Sequence, residues 1–171
     1  MDRELLDRAR TGDREAFELI VVAKGEPLFR TALAILGNEA DARDATQEAF
    51  IASWRSFAGL RDLERFDAWI GRILINECRM ALRRRRRVRE VAVDDSPDSA
   101  DRQTSPDSHE SSDFDDAFSR LNVDQRAILV LHHLHGYGVR EIGAWMGIPS
   151  GTVKWRLSRA RNALRAELER Q

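Results

Sequence analysis

Residues 141–161 read E-I-G-A-W-M-G-I-P-S-G-T-V-K-W-R-L-S-R-A-R, and this stretch decides the fold. Apolar residues repeat at helical spacing on both sides of a glycine turn: Ile142 and Trp145 before Gly147, and Val153, Leu157 and Ala160 after it. The pattern predicts a short helix over Val139–Met146, a tight turn through Gly147, and a second helix from about Ser150, with Ser150 as its N-cap. A short turn lets the first helix brace the second, whose exposed N-terminal turns can then enter a DNA major groove. The exposed face carries Thr152, Lys154, Trp155, Ser158, Arg159 and Arg161, cations for phosphates together with groups that can meet base edges. A helical hairpin with a merely solvated charged face is the plainer alternative.

Working outward, Ala117, Phe118, Leu121, Ile128, Leu129, Leu131 and Leu134 keep the same period, so residues 114–171 form one small helical unit punctuated at Gly136 and Gly138. Upstream, residues 91–113 are dominated by Asp, Ser and Pro, including Pro97 and Pro106, and show neither apolar period. Such a segment has too little apolar surface to offset its ordering entropy, so 90–113 is expected to be a flexible acidic linker. Residues 1–89 return to the helical period: Ala16, Leu19, Ile20 and Ala23, then Leu28, Ala32, Leu33, Ile35 and Leu36. After Gly37-Asn38 a third helix carries Ala45, Ala49, Ala52 and Phe57, and a fourth from about Phe66 sets Trp69, Ile70, Ile73, Leu74 and Cys78 inward before running into Arg83 to Arg87. The expected fold is all-α, with two small helical domains joined by the linker and the second a helix-turn-helix.

The net charge of −1 over 171 residues conceals a segregation. Residues 1–89 hold 18 Lys/Arg against 15 Asp/Glu, 90–116 hold 1 against 10, and 117–171 hold 9 against 4. Two basic blocks flanking an acidic one suit a nucleic-acid partner. The lone Cys78 excludes an internal disulfide and sits where a buried thiol is expected. No stretch suits a membrane span or a signal peptide, so a cytoplasmic protein without membrane insertion is expected. His132, His133 and His135 lack a third ligand type at metal spacing, and no phosphate loop, nucleophile elbow or triad spacing occurs, so neither a metal, a cofactor nor catalysis is expected.

The 141–161 string resembles the C-terminal domain of extracytoplasmic-function sigma factors, which reads the promoter −35 element. The resemblance assigns Ser150, Thr152, Lys154, Trp155, Ser158, Arg159 and Arg161 to −35 duplex contacts; Trp155 departs from the small polar residue more usual there. In the first half, D-A-T-Q-E-A-F at residues 44–50 looks like the segment by which such factors grip the clamp helices of RNA polymerase, which implicates Asp44, Gln47, Glu48 and Phe50. Asp44, Gln47 and Glu48, at i, i+3 and i+4, share a helix face. The string F-D-A-W-I-G-R-I-L-I-N at 66–76 is similar to the family's −10 reading helix. By that resemblance Asn76 touches the captured strand, Arg72, Arg79, Arg83 and Arg84 hold phosphates, and residues 58–65, with Arg61 and Asp62, form the pocket for an extruded base.

The resemblance further implies core RNA polymerase as partner, through the clamp helices of its largest subunit and the flap of the second-largest. It also implies promoter DNA, as duplex and as melted non-template strand, an anti-sigma factor, and a role in a stress or envelope response. Two rival readings remain at this point: a helix-turn-helix repressor or activator that never meets polymerase, and a helical adaptor that binds only protein.

Overall fold

The computed structural model describes residues 1–95 and 112–170. Its described elements are α-helices joined by short turns: α1 (Arg3–Arg10), α2 (Arg14–Leu36), α3 (Glu39–Ser56), α4 (Phe66–Asp95), α5 (Ser112–Arg120), α6 (Val123–Leu129), α7 (Val139–Met146) and α8 (Ser150–Leu168). Two 3-10 turns, Phe57–Gly59 and Leu63–Arg65, join α3 to α4, and a π turn, Val130–Leu134, continues α6. The sequence places the helix starts through local capping. Asp2, Asp13, Asn38 and Asn122 each accept a backbone N–H of the first turn, which satisfies donors that have no intrahelical partner. Asp13 also takes a bond from Arg8, and the N–H of Ala16, followed by Arg8, holds its carboxyl below the usual range. Gly37 ends α2 in the left-handed conformation at φ 67°, which a β-carbon would strain.

Helices α1 to α4 enclose one core around Ile20, Ile35, Phe57, Phe66, Ile70 and Leu74, all at most 1% exposed. Along α3 the buried face includes Ala42, Ala45 and Ala49, small side chains that let α2 and α4 approach closely. Phe57 stacks on Trp69 at 5.4 Å, and Phe17 meets Phe50 edge-on at 6.5 Å. Cys78 is fully buried, and burial pushes its thiol up to about 12, so it packs as a small apolar group. The second half packs α5 to α8 around Ala117, Leu121, Ile128, Leu131, Ile142 and Val153.

Several expectations need correction. Leu19 and Ala23 lie on the solvent side of α2, with Leu19 55% exposed, because a long helix at the surface buries only a stripe. Leu134 is 63% exposed. The N–H of His135 bonds to the carbonyl of Val130, five residues back, and this wider turn rotates the helix out of the 3.6 phase that would have brought Leu134 inward. Ser150 is the first residue of α8 and Pro149 occupies the cap, with no side-chain capping bond. Helix α4 continues to Asp95 and α5 begins at Ser112, so both ends of the expected linker 90–113 are helical; its remainder lies outside the described residues.

The halves also pack against one another, where the sequence suggested that a linker leaves their orientation free. Trp145 of α7 lies on the bare backbone of Gly71 in α4, where an added β-carbon would fall 2.3 Å from the indole. Arg126, 8% exposed, donates to the carbonyls of Leu121 (2.9 Å) and Ser119 in its own half and to that of Ile35 (3.2 Å) in the other. Burial lowers its pKa, and the three carbonyls hold the charge that burial opposes.

Candidate nucleic-acid interface

Three polar surfaces stand on this scaffold. On α3, Asp44, Gln47 and Glu48 are exposed on one face, held there by the buried alanines behind them. Phe50, expected among the polymerase contacts, is only 8% exposed and anchors α3 in the core through Phe17. Glu77 of α4 extends the acidic face: burial raises its pKa, and the nearby charge of Glu48 raises it further against Arg84. Sequence reasoning missed Glu77, since nothing local to it records that α3 and α4 lie side by side.

The second surface is the outer face of α4 with the turn before it. Arg83 and Arg84 are exposed, one turn beyond Arg79. Asn76 Oδ1 accepts from Arg79 Nη1 at 2.5 Å, so two expected strand contacts are bonded to each other. Asp62 caps the turn at Glu64 and pairs with Arg65 at 3.1 Å. Arg61 and Asp62 line an open cavity of about 590 Å³ whose far wall is α1, with Asp2, Arg3, Asp7 and Arg10. The contribution of α1 to this cavity was not legible in the sequence.

Part of the α4 face is occupied by the second half. Arg72 Nη2 donates to the carbonyl of Ala144 at 3.1 Å and lies over Gly147, placing a cation at the negative end of α7. Arg79 Nε donates to Asp124 at 2.8 Å, and the other oxygen of Asp124 is 3.8 Å from Arg156 of α8. One carboxylate thus sits between a cation of each basic helix. Behind this contact, the Thr31 hydroxyl donates to the carbonyl of Pro27 at 2.8 Å and accepts from His135 Nε2 at 3.0 Å. His135 stacks on Tyr137, which in turn packs on Trp145. His132 Nδ1 lies 3.2 Å from the carbonyl of Tyr137, and His133 accepts from Arg161 at 3.3 Å, so the three histidines serve separate packing and hydrogen-bonding roles.

The third surface is the first turns of α8. Helix α7 ends at Gly147, φ 70°, and the N–H of Ile148 bonds to the carbonyl of Gly143, which fixes the turn. Val153, Leu157 and Ala160 are buried against the unit, while Ser150, Lys154, Trp155, Ser158, Arg159 and Arg161 are exposed and Thr152 is half-buried. The Arg159 guanidinium lies over the Trp155 ring at 4.8 Å from its centroid. Asp124, Arg126 and Gly71 carry contacts between the halves and were missed, because their partners are remote in sequence.

Comparison with known proteins gives this geometry its family. The model described as Sigma-70 region 2 matches residues 21–88, and that described as Sigma-70, region 4 matches residues 111–164. The chain is 34% identical over 167 residues to the ECF RNA polymerase sigma factor SigE of Mycolicibacterium smegmatis, covering 91% of this chain and 63% of that protein. It is 32% identical over 163 residues to the ECF RNA polymerase sigma factor SigM of Mycobacterium tuberculosis, covering 95% of this chain and 82% of that protein. Among solved structures it resembles CnrH in complex with the cytosolic domain of CnrY, with a TM-score of 0.69 and 27% identity over 99% of this chain and 98% of that one. It also resembles the sigma factor RpoE in complex with the anti-sigma factor NepR from Bartonella quintana, with a TM-score of 0.65 and 27% identity over 90% and 96% of the two chains. With each half matching a different region of one family, and relatives of that family aligned along almost the whole length, the chain belongs to the extracytoplasmic-function RNA polymerase sigma factors of the sigma-70 family.

Proposed function

We propose that this protein directs core RNA polymerase to promoters, with the first half docking on polymerase and capturing the melted −10 strand and the second reading the −35 duplex. Its work is binding, in transcription initiation, rather than bond-making. The observation that carries the reading is the presence of two separate cationic helix faces, on α4 and on α8, in halves that match region 2 and region 4. The acidic face of α3 suits a basic helix pair on polymerase, and Arg72, Asn76, Arg79, Arg83 and Arg84 suit the backbone of a single strand. Joining two weak readers in one chain makes the second contact effectively intramolecular, so both elements and their spacing contribute to promoter choice.

Because Arg72 and Arg79 are engaged by Ala144 and Asp124, use of the α4 face requires the halves to part. The packed arrangement suits capture by an anti-sigma protein in the cytoplasm, a reading supported by its likeness to a sigma factor solved in complex with an anti-sigma factor. Run-off transcription with sigma-free core polymerase on a promoter library tests the proposal: transcripts should depend on both promoter elements. Glu48→Ala should weaken polymerase capture while leaving affinity for duplex DNA unchanged. Failure to start RNA chains on every template, with no inhibitor present, overturns the reading.

A further inference from the structure

The three arginines at the start of α8 are in different situations. Arg156 faces the carboxylate of Asp124, and Arg161 donates to His133. Arg159 has neither a carboxylate nor a hydrogen-bond acceptor among the described residues; its guanidinium rests on the face of Trp155, four residues earlier. Stacking on a π face engages none of the N–H groups, so the group is held in place with its whole donor fork unspent. Trp155 is 57% exposed, a large apolar ring projecting from the helix where it packs into no core. Helical side chains lean toward the N-terminus, which is how Arg159 comes to lie across a residue one turn before it.

We propose that Trp155 is a positioning residue for −35 recognition. It fixes Arg159 for a bidentate contact with the N7 and O6 of a guanine, and its own ring edge meets the 5-methyl group of an adjacent thymine. This rests on the reading of α8 as the −35 reader. A free arginine loses rotamer entropy on binding a base, and a stacked one has lost much of it beforehand, so the stack sharpens recognition without adding a hydrogen bond. Guanine is the base whose major-groove edge offers two acceptors to a planar fork, and thymine alone presents a methyl group. Arg159 lies over Trp155 from one turn further along the same face of α8, so the two adjoining groups address adjoining bases. Arg159 alone would read the guanine; the Trp155 stack predicts a paired preference, a thymine next to a guanine.

The test uses the holoenzyme on promoters with a fixed −10 element and a randomised −35 element. Atomic probes follow on the preferred site, with uracil in place of the thymine and 7-deazaguanine in place of the guanine. Wild type should select thymine beside guanine and lose about 10-fold in initiation with 7-deazaguanine, and less with uracil. Arg159→Ala should abolish the guanine preference and keep the methyl preference. Trp155→Ala should lose the methyl preference and much of the guanine preference together, whereas Trp155→Phe, which keeps a π face, should retain most of the latter. Each readout is a ratio between templates for one protein, so partial misfolding of a variant does not imitate the result. Trp155→Ala with undiminished guanine discrimination, or uracil tolerated as well as thymine by wild type, overturns the proposal alone. A wild-type holoenzyme that initiates without any −35 preference overturns the reading of α8 and this proposal with it.

Discussion

Helices α4 and α8 both present arginines to solvent, yet the second half of the molecule covers part of one and leaves the other open. On α4, Arg72 caps the end of α7 and Arg79 shares Asp124 with Arg156. On α8, Lys154, Ser158 and Arg159 stand clear of the first half. The difference teaches that charge alone does not make a surface available. On the proposed reading, the duplex-facing helix is preformed and the strand-facing one must be uncovered, so only the second should respond to changes in the packing between the halves.

The largest effect is expected at Arg126. Its replacement by Met leaves the carbonyls of Leu121, Ser119 and Ile35 without their donor, and should cost about 2–3 kcal/mol in urea unfolding. Unchanged stability would show that these bonds contribute nothing to the fold. Gly71→Ala comes next, because the β-carbon cannot occupy the space of the Trp145 ring. Overpacking of this kind costs about 1–3 kcal/mol, here charged to the contact between halves, since alanine favours the α4 helix itself. Small-angle scattering should report a more extended chain, and a −10 single strand should bind more tightly while −35 duplex affinity holds constant. A parallel gain at both sites would erase the distinction between the two helices.

A smaller change follows from Asp124→Asn, which removes the carboxylate between Arg79 and Arg156. Partly exposed ion pairs contribute about 0–1 kcal/mol, so strand affinity should rise at most about fivefold at low salt and not at all at high salt. The smallest effect is that of pH. Burial holds the pKa of His135 below its ordinary 6.5, so the packed form prefers the neutral ring. Its contribution to packing is complete above 6.5 and is lost as pH falls through the depressed value. Scattering from about pH 7.5 down to about pH 5 should show expansion that His135→Gln suppresses.

Legibility in the sequence followed the range of the interaction. Val139–Met146, the turn at Gly147 and the inward set Val153, Leu157 and Ala160 were readable because glycine turns and the 3.6 period are local. Leu134 escaped because a single π turn resets that period, and Leu19 because an apolar residue does not declare whether a neighbour covers it. Trp145 was correctly read as inward, but periodicity did not say that its neighbour is Gly71, seventy-odd residues away.

The sequence by itself determined most of the helices, the glycine turns, the division into two cationic units, and the motifs that mark the family, since each depends on residues a few positions apart. Only the tertiary structure decided which cations are available. Arg79 and Arg159 are alike as residues on exposed helix faces; a carboxylate from a distant segment engages one and an aromatic ring one turn away supports the other. The free energy of a charge depends on what surrounds it in space, and chain order does not encode that surrounding directly.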